Sequence, residues 1–224
     1  MKKSNEELQK DVQDAIKWEP LLNAAEIGVI ARDGVITLTG TVDSYAKKLE
    51  AEDAAKSIEG VKAVIVKLEI KFNSEWEKKD DSEIADEIIK AAQWNSEIPK
   101  DKVKAKVENG WVTLEGEVDW NYQREAIEDL VKNHSGIVGI TNNITIKESG
   151  DRVEKKSIER ALRRNWLVDD SDIKVDVSNH NVTLTGSVGS WDERDRAARI
   201  AWKAAGVWSV ENDLVVEYDY EYAD

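Results

Sequence analysis

The sequence predicts an α+β protein: three small α-β-β-α-β domains in tandem, each a three-stranded mixed sheet packed against two helices. Three observations carry this. A nearly constant phrase occurs three times, GVITLTG at Gly34 to Gly40, GWVTLEG at Gly110 to Gly116 and HNVTLTG at His180 to Gly186. A further glycine follows 20 residues after the end of each phrase, at Gly60, Gly136 and Gly206. Around these markers the apolar residues change from helical spacing to alternation in the same order in every copy. The copies are offset by 76 and 70 residues. That exceeds a solenoid repeat and is close to the size at which a domain can bury its own core. Domains are therefore expected at 1–72, 79–147 and 152–218, on short polar linkers at Asn73 to Asp80 and Glu148 to Asp151.

Each copy opens with a helix. Leu8, Val12, Ala15 and Ile16 share one helical face, as do Ile84, Ile88, Ala91 and Ala92, with Ile158, Leu162 and Trp166 in copy three. Ser4 with Glu7, and Asp80 with Glu83, have the spacing of N-terminal capping pairs. Alternation follows at Ile27, Val29 and Ala31, at Val103, Ala105 and Val107, and at Ile173, Val175 and Val177, the pattern of a half-buried strand. Asp33-Gly34 and Asn109-Gly110 supply the positive φ angles of a tight hairpin, while copy three offers Asn179-His180.

The second strand puts Ile36, Leu38, Gly40 and Val42 on one face, and likewise Val112, Leu114, Gly116 and Val118, then Val182, Leu184, Gly186 and Val188. A glycine with inward parity suggests close approach by a packed element, and the following helix is the expected neighbour. Ala51, Ala54, Ala55 and Ile58 form that helix's stripe in copy one, Ile127, Leu130, Val131 and His134 in copy two, Ala197, Ile200, Ala201 and Ala204 in copy three. Gly60, Gly136 and Gly206 then stand as helix stops. A third strand closes each unit at Val64 to Ile70, Ile140 to Ile146 and Val210 to Val216.

These elements, Gly-x-Val/Ile-Thr-Leu-x-Gly-x-Val before a charged helix and then Gly-Val before a final apolar strand, resemble the BON domain family of bacteria. The matching residues are Gly34 to Val42 with Gly60-Val61, Gly110 to Val118 with Gly136-Ile137, and Val182 to Val188 with Gly206-Val207. The resemblance covers nearly the whole chain. It implies a non-enzymatic binding or adaptor module linked to osmotic or envelope stress, with protein association or phospholipid contact as its mode, and cation sensing as a further possibility. It implies no cofactor.

Composition narrows the choice. Of 224 residues 41% are hydrophobic and 35% charged, with a net charge of −14. Such a chain can bury cores but lacks the clustered positive charge that nucleic acid requires, and it should be repelled by an anionic bilayer. Cysteine is absent, which removes disulfides, thiol nucleophiles and cysteine-ligated zinc. The N-terminus turns polar where a secretory leader would be apolar, and no stretch nears the length of a bilayer span. The expectation is a cytoplasmic chain, or a periplasmic one if a leader has been removed.

No residue set is expected to be catalytic, metal-binding or cofactor-binding. His134 lies in the column of Ile58 and Ala204, and His180 replaces a turn glycine, so both read as structural. Asp169-Asp170-Ser171-Asp172 lacks the glycine and terminal glutamate of a calcium loop. Lys100, Lys102, Lys104 and Lys106 alternate opposite Val103, Ala105 and Val107. They read as protection of an exposed strand, or as a strip for lipid headgroups, potassium and calcium being the ions of the sensing alternative. Lys156, Arg160, Arg163 and Arg164 line one helical side, beside glutamates at helical spacing.

Nine tryptophans accompany a single phenylalanine. Trp18, Trp94 and Trp166 close the first helices and read as core or inter-domain packing, whereas Trp111 points away from Val112 and Leu114. Tyr45, Trp120, Tyr122 and Trp191 cluster at the strand-to-helix turns, the candidate surface for a protein partner. Asn142 and Asn212 have inward parity, where a buried amide needs partners from the backbone or a local bulge.

Overall fold

The computed structural model describes residues 3–72, 79–99, 102–147, 153–164 and 173–217. Copy one comprises α1 (Asn5–Trp18), a 3-10 turn at Ala24–Glu26, β1 (Ile27–Arg32), β2 (Val35–Val42), α2 (Tyr45–Lys56) and β3 (Ala63–Ile70). Copy two comprises α3 (Asp81–Trp94), β4 (Val103–Glu108), β5 (Trp111–Val118), α4 (Asn121–Lys132) and β6 (Gly139–Ile146). Copy three comprises α5 (Lys155–Arg164), β7 (Ile173–Ser178), β8 (Asn181–Val188), α6 (Trp191–Trp202) and β9 (Ser209–Val216). The fold is the α+β arrangement the sequence predicts.

The three sheets have the orders β1-β2-β3, β4-β5-β6 and β7-β8-β9. The first two strands of each are antiparallel because a two-residue turn joins them. β5 with β6, and β8 with β9, are parallel, because a helix carries the chain back before the third strand begins.

Local chemistry sets the element ends. The Ser4 hydroxyl accepts the Glu7 N–H at 3.1 Å while the Glu7 carboxylate accepts the Ser4 N–H at 2.8 Å. Asp80 and Glu83 repeat the exchange at 2.8 and 3.0 Å. Each pair satisfies N–H groups that the first helical turn leaves unbonded. The hairpin pairs take positive φ, 52° and 85° at Asp33-Gly34 and 52° and 76° at Asn109-Gly110. In copy three Asn179 does so at 56°. The turn is then tied to the start of the third strand, since the carbonyls of Gly34, Gly110 and His180 accept N–H groups from Lys62, Val138 and Trp208 at 2.7, 3.0 and 3.0 Å. Gly60, Gly136 and Gly206, at φ of 99°, 86° and 80°, follow their helices in the left-handed region that stops them.

The glycine that ends the repeated phrase has a different role from the expected seat for a helix. Gly40, Gly116 and Gly186 lie at φ of 120°, 142° and 120°. A Cβ at Gly40 would stand 2.0 Å from the Glu26 carbonyl oxygen, and one at Gly116 would stand 2.1 Å from that of Lys102. The close neighbour is the chain entering the preceding strand, not the helix. A side chain is excluded there by backbone geometry and backbone contact together.

Ile36, Leu38, Val112, Leu114, Val182 and Leu184 are wholly buried on the inner faces of the middle strands. In copy two they pack with Ile84 and Ile88 of α3 and Ile127 and Val131 of α4. In copy three the partners are Ile158 and Leu162 of α5 and Ala197 and Ala201 of α6. Each such leucine contributes about 1.5–3 kcal/mol by leaving water. The chain resolves into two compact units. One holds copy three with most of copy one; the other holds copy two with Thr41–Lys48 and the end of β3 from copy one.

Candidate interaction surface

Five residues after the glycine that ends the repeated phrase, each copy begins its second helix, so Tyr45, Asn121 and Trp191 occupy corresponding first positions of α2, α4 and α6. In copies one and three a serine precedes this residue and caps the helix. Ser44 Oγ accepts the Lys47 N–H at 3.3 Å, and Ser190 Oγ accepts the Glu193 N–H at 3.2 Å. Copy two has Trp120 at the capping position, and an indole offers no acceptor. Gln123 reaches back instead, its Oε1 accepting the N–H groups of Asp119 and Trp120 at 3.0 and 3.1 Å.

The turns differ in what they touch. Tyr45 packs against the core of copy two. Trp191 is half-buried, donates its indole N–H to the Lys62 carbonyl at 3.2 Å, and carries the Arg194 guanidinium 5.4 Å from its ring centroid. Asn121 is buried, with Nδ2 donating to Glu125 at 2.8 Å and Oδ1 without a partner among the described residues. Beside it Trp120 and Tyr122 remain 43% and 53% exposed. Of the four aromatic residues expected at these turns, two are engaged within the chain and two face outward.

Two tryptophans depart from expectation. Trp18 and Trp94, the last residues of α1 and α3, are 85% and 89% exposed rather than packed. Each sits two positions beyond the apolar stripe of its helix, which rotates it about 200° away from the core. Trp166 and the cluster Asp169 to Asp172 lie outside the described residues. Trp111 is half-exposed, its ring covering Gly139 and its N–H donating to Thr141 Oγ1 at 2.9 Å.

The described lysines of the strip, Lys102, Lys104 and Lys106, are exposed along β4 and the residue before it, at a sheet edge; Lys100 lies outside the described residues. Carboxylates interrupt the row. Lys102 pairs with Asp119 at 2.8 Å and Lys106 with Glu108 at 2.9 Å, while Glu115 stands opposite Lys104 in register. On the helix of copy three, Arg160 meets Glu154 at 3.9 Å and Lys155 meets Glu159 at 3.9 Å.

The histidines and asparagines are held by structural contacts. His134 Nδ1 is 3.7 Å from Glu87. His180 stacks on Trp208 with centroids 3.7 Å apart, its Nδ1 2.8 Å from the Gly206 carbonyl. Asn142 and Asn212 each accept the N–H two residues on, from Ile144 at 3.1 Å and Leu214 at 3.4 Å. Their amides reach the second helix, Asn142 to the Glu128 carboxylate at 2.8 Å and Asn212 to the Arg194 carbonyl at 2.7 Å. Among the described residues no group of three potential metal ligands converges and no helix is long and apolar enough to cross a membrane.

An apolar groove of about 680 Å³ opens in copy two between α3, the following loop and β4, with Ile88, Trp94, Ile98, Val103 and Ala105 in its walls.

The BON domain family model matches residues 4–71, 80–148 and 151–218. Osmotically-inducible protein Y of Escherichia coli (strain K12) is 28% identical over 144 residues, covering 60% of this chain and 72% of that protein. Among solved structures, the C-terminal domain of CdsD, a structural protein of the type III secretion system of Chlamydia trachomatis, aligns at 16% identity over 96% of this chain and 100% of that one, with a TM-score of 0.26. A second CdsD structure gives 18% identity over 95% and 93%, with a TM-score of 0.25. Superpositions this loose bear on nothing further.

Proposed function

Because the chain belongs to the BON domain family, we propose that it is a non-enzymatic adaptor that acts in osmotic or envelope stress by binding a protein partner through the second-helix turn of copy two. The stress setting rests on the relative named for osmotic induction. The binding surface rests on Trp120. A serine at that position caps the helix in both other copies, and a serine-to-nonpolar change at such a site costs about 1 kcal/mol. Copy two forgoes that cap and displays a large aromatic residue beside a second one. Exposed tryptophan and tyrosine are the side chains that most often dominate protein interfaces, and departures from local rules without structural gain cluster at functional sites.

The test is capture of a partner from osmotically stressed cells by the full chain, followed by reconstitution with the purified partner. Trp120→Ala and Tyr122→Ala should each weaken binding by about tenfold or more, with an unchanged melting curve. Equal affinity of both variants and the parent chain would remove this turn from consideration. The interrupted lysine row supports a lipid reading less well than a protein one, and sedimentation with anionic vesicles separates them.

A further inference from the structure

An edge strand offers unpaired backbone to any other chain unless its side chains discourage it, and the three copies differ in this respect. β1, β4 and β7 each stand at the end of a sheet and are bonded to one neighbour within it. On the outer face β4 carries Lys104 and Lys106, and β7 carries Lys174 and Asp176. At the corresponding places β1 carries Gly28 and Ile30, and Ile30 is 57% exposed. Ile27-Gly28-Val29-Ile30-Ala31 is therefore an uncharged edge set between Glu26 and Arg32. The hairpin fixes which of its backbone groups are available. A two-residue turn makes Arg32 and Val35 a hydrogen-bonded pair, so Gly28, Ile30 and Arg32 direct N–H and C=O toward β2. Ile27, Val29 and Ala31 direct theirs to the open side. The next N–H on that side, from Asp33, is donated to Asn5 Oδ1 at 2.8 Å and closes the edge.

Taken in the reverse direction, this stretch complements itself. A second copy laid antiparallel, with Val29 against its own counterpart, brings Ile27 opposite Ala31, Gly28 opposite Ile30 and Glu26 opposite Arg32, twice over by symmetry. The bare backbone at Gly28 leaves room for the Ile30 side chain of the other copy. Glu26 and Arg32 are both exposed. Glu26 accepts the Asn23 amide at 2.9 Å, and Arg32 has no ion-pair partner among the described residues. Sliding the register separates these charges and shortens the ladder, so the pattern selects one alignment. The same operation on β4 sets Lys104 against Lys106, a repulsion at both ends. On β7 it sets Lys174 against Asp176, which Lys155 already holds at 3.4 Å.

We infer that the chain forms a twofold dimer in which β1 pairs antiparallel with β1 of a second copy about Val29, with Glu26 of each copy against Arg32 of the other. Backbone hydrogen bonding along the edge supplies affinity, and the end charges and the Gly28 and Ile30 pair supply the register. One patch serves both partners, as a closed twofold contact requires. Two chains of net charge −14 repel at long range, and physiological salt screens that repulsion beyond about 8 Å. The surface is separate from Trp120 and does not depend on it.

Sedimentation velocity of the full chain over a wide concentration range, in physiological salt, tests this. The parent chain should form a dimer and nothing larger. E26R and R32E each set like charges against one another at both ends and should each raise the dimer Kd by about tenfold. An equimolar mixture of those two variants should associate as tightly as the parent, because each supplies the charge that the other lacks. That rescue requires position 26 of one chain to face position 32 of the other. Ile30→Lys, which gives β1 the lysine that β4 has at that place, should raise the Kd by about tenfold or more. Melting curves at low concentration should be those of the parent for all three variants. A parent chain that stays monomeric throughout, a dimer indifferent to I30K, or a mixture no tighter than the single variants would overturn the dimer.

Discussion

The indole N–H of Trp191 donates to the carbonyl of Lys62 at 3.2 Å, across 129 residues of sequence, and joins the third copy to the first. Trp191 is the first residue of α6, so the helix start sets its direction and the Arg194 guanidinium covers its ring. The contact has separable parts. Trp191→Phe keeps most of the packing area and removes only the indole hydrogen bond to the Lys62 carbonyl, a loss of about 1 kcal/mol. Trp191→Ala removes the ring as well and should cost about 1–3 kcal/mol. Thermal unfolding checks both, and equal stability of the two variants would show that the hydrogen bond, not the ring, joins the copies.

Gly116→Ala should be among the most damaging single-methyl additions in the chain. The new Cβ would lie 2.1 Å from the Lys102 carbonyl oxygen, at a φ of 142° that side chains avoid. The backbone strain alone is about 1–3 kcal/mol, and the carbonyl cannot retreat without breaking the hairpin. Gly189→Ala is the control. Its Cβ would meet only the Glu193 carboxylate at 3.4 Å, a surface change expected to stay within about 0.5 kcal/mol. Chemical denaturation of the two variants should separate them clearly.

Helices, hairpins and helix stops are legible in the sequence because each depends on residues within a few positions of one another, as the Ser4 and Glu7 cap and the Asn109-Gly110 turn show. The alternation also assigns Gly40 and Gly116 to the inner face, yet Gly40 is exposed and Gly116 half-buried, and neither this nor their close neighbour is legible. Alternation reports which face a residue takes, and it is silent on φ and on a carbonyl from the preceding strand. The exposure of Trp18 and Trp94 follows from helical phase, since Trp18 lies two positions past the buried Ile16 and Trp94 six past the buried Ile88. Apolar residue type alone points the other way, and phase wins. The different fates of Tyr45, Trp120 and Trp191 are not legible, because corresponding turns meet different surroundings only once the chain has packed.

The cap at α1 makes a pH prediction. Glu7 is held below its ordinary value of 4.5, first by the backbone N–H of Ser4 and then by the Ser4 side chain. A depressed folded value means that the cap's contribution is fully present above about the ordinary value and is lost as pH falls from there through the lower folded value. Carboxyl carbon titration by NMR should therefore place Glu7 below 4.5 in the folded chain. Ser4→Ala, which keeps the backbone donor, should recover only part of the shift, and full recovery would assign it to the hydroxyl. Glu7→Gln should abolish the acid sensitivity of the α1 terminus.

Trp120→Ser gives copy two the capping residue that Ser44 and Ser190 provide elsewhere. The new hydroxyl would accept the Gln123 N–H, as those serines accept from the residue three positions on, and the gain is about 0.5–1 kcal/mol. For a chain of this size that corresponds to a melting temperature higher by about 1–4 °C. Binding to the protein partner should fall in the same variant, because the side chain removed is 43% exposed and offers interface area that serine cannot replace. Stability rising while affinity falls is the signature of a residue retained for contact at the expense of the helix. A variant that loses stability and keeps its affinity would instead make Trp120 a packing residue of α4, and the outward surface would have to be sought at Trp18 and Trp94.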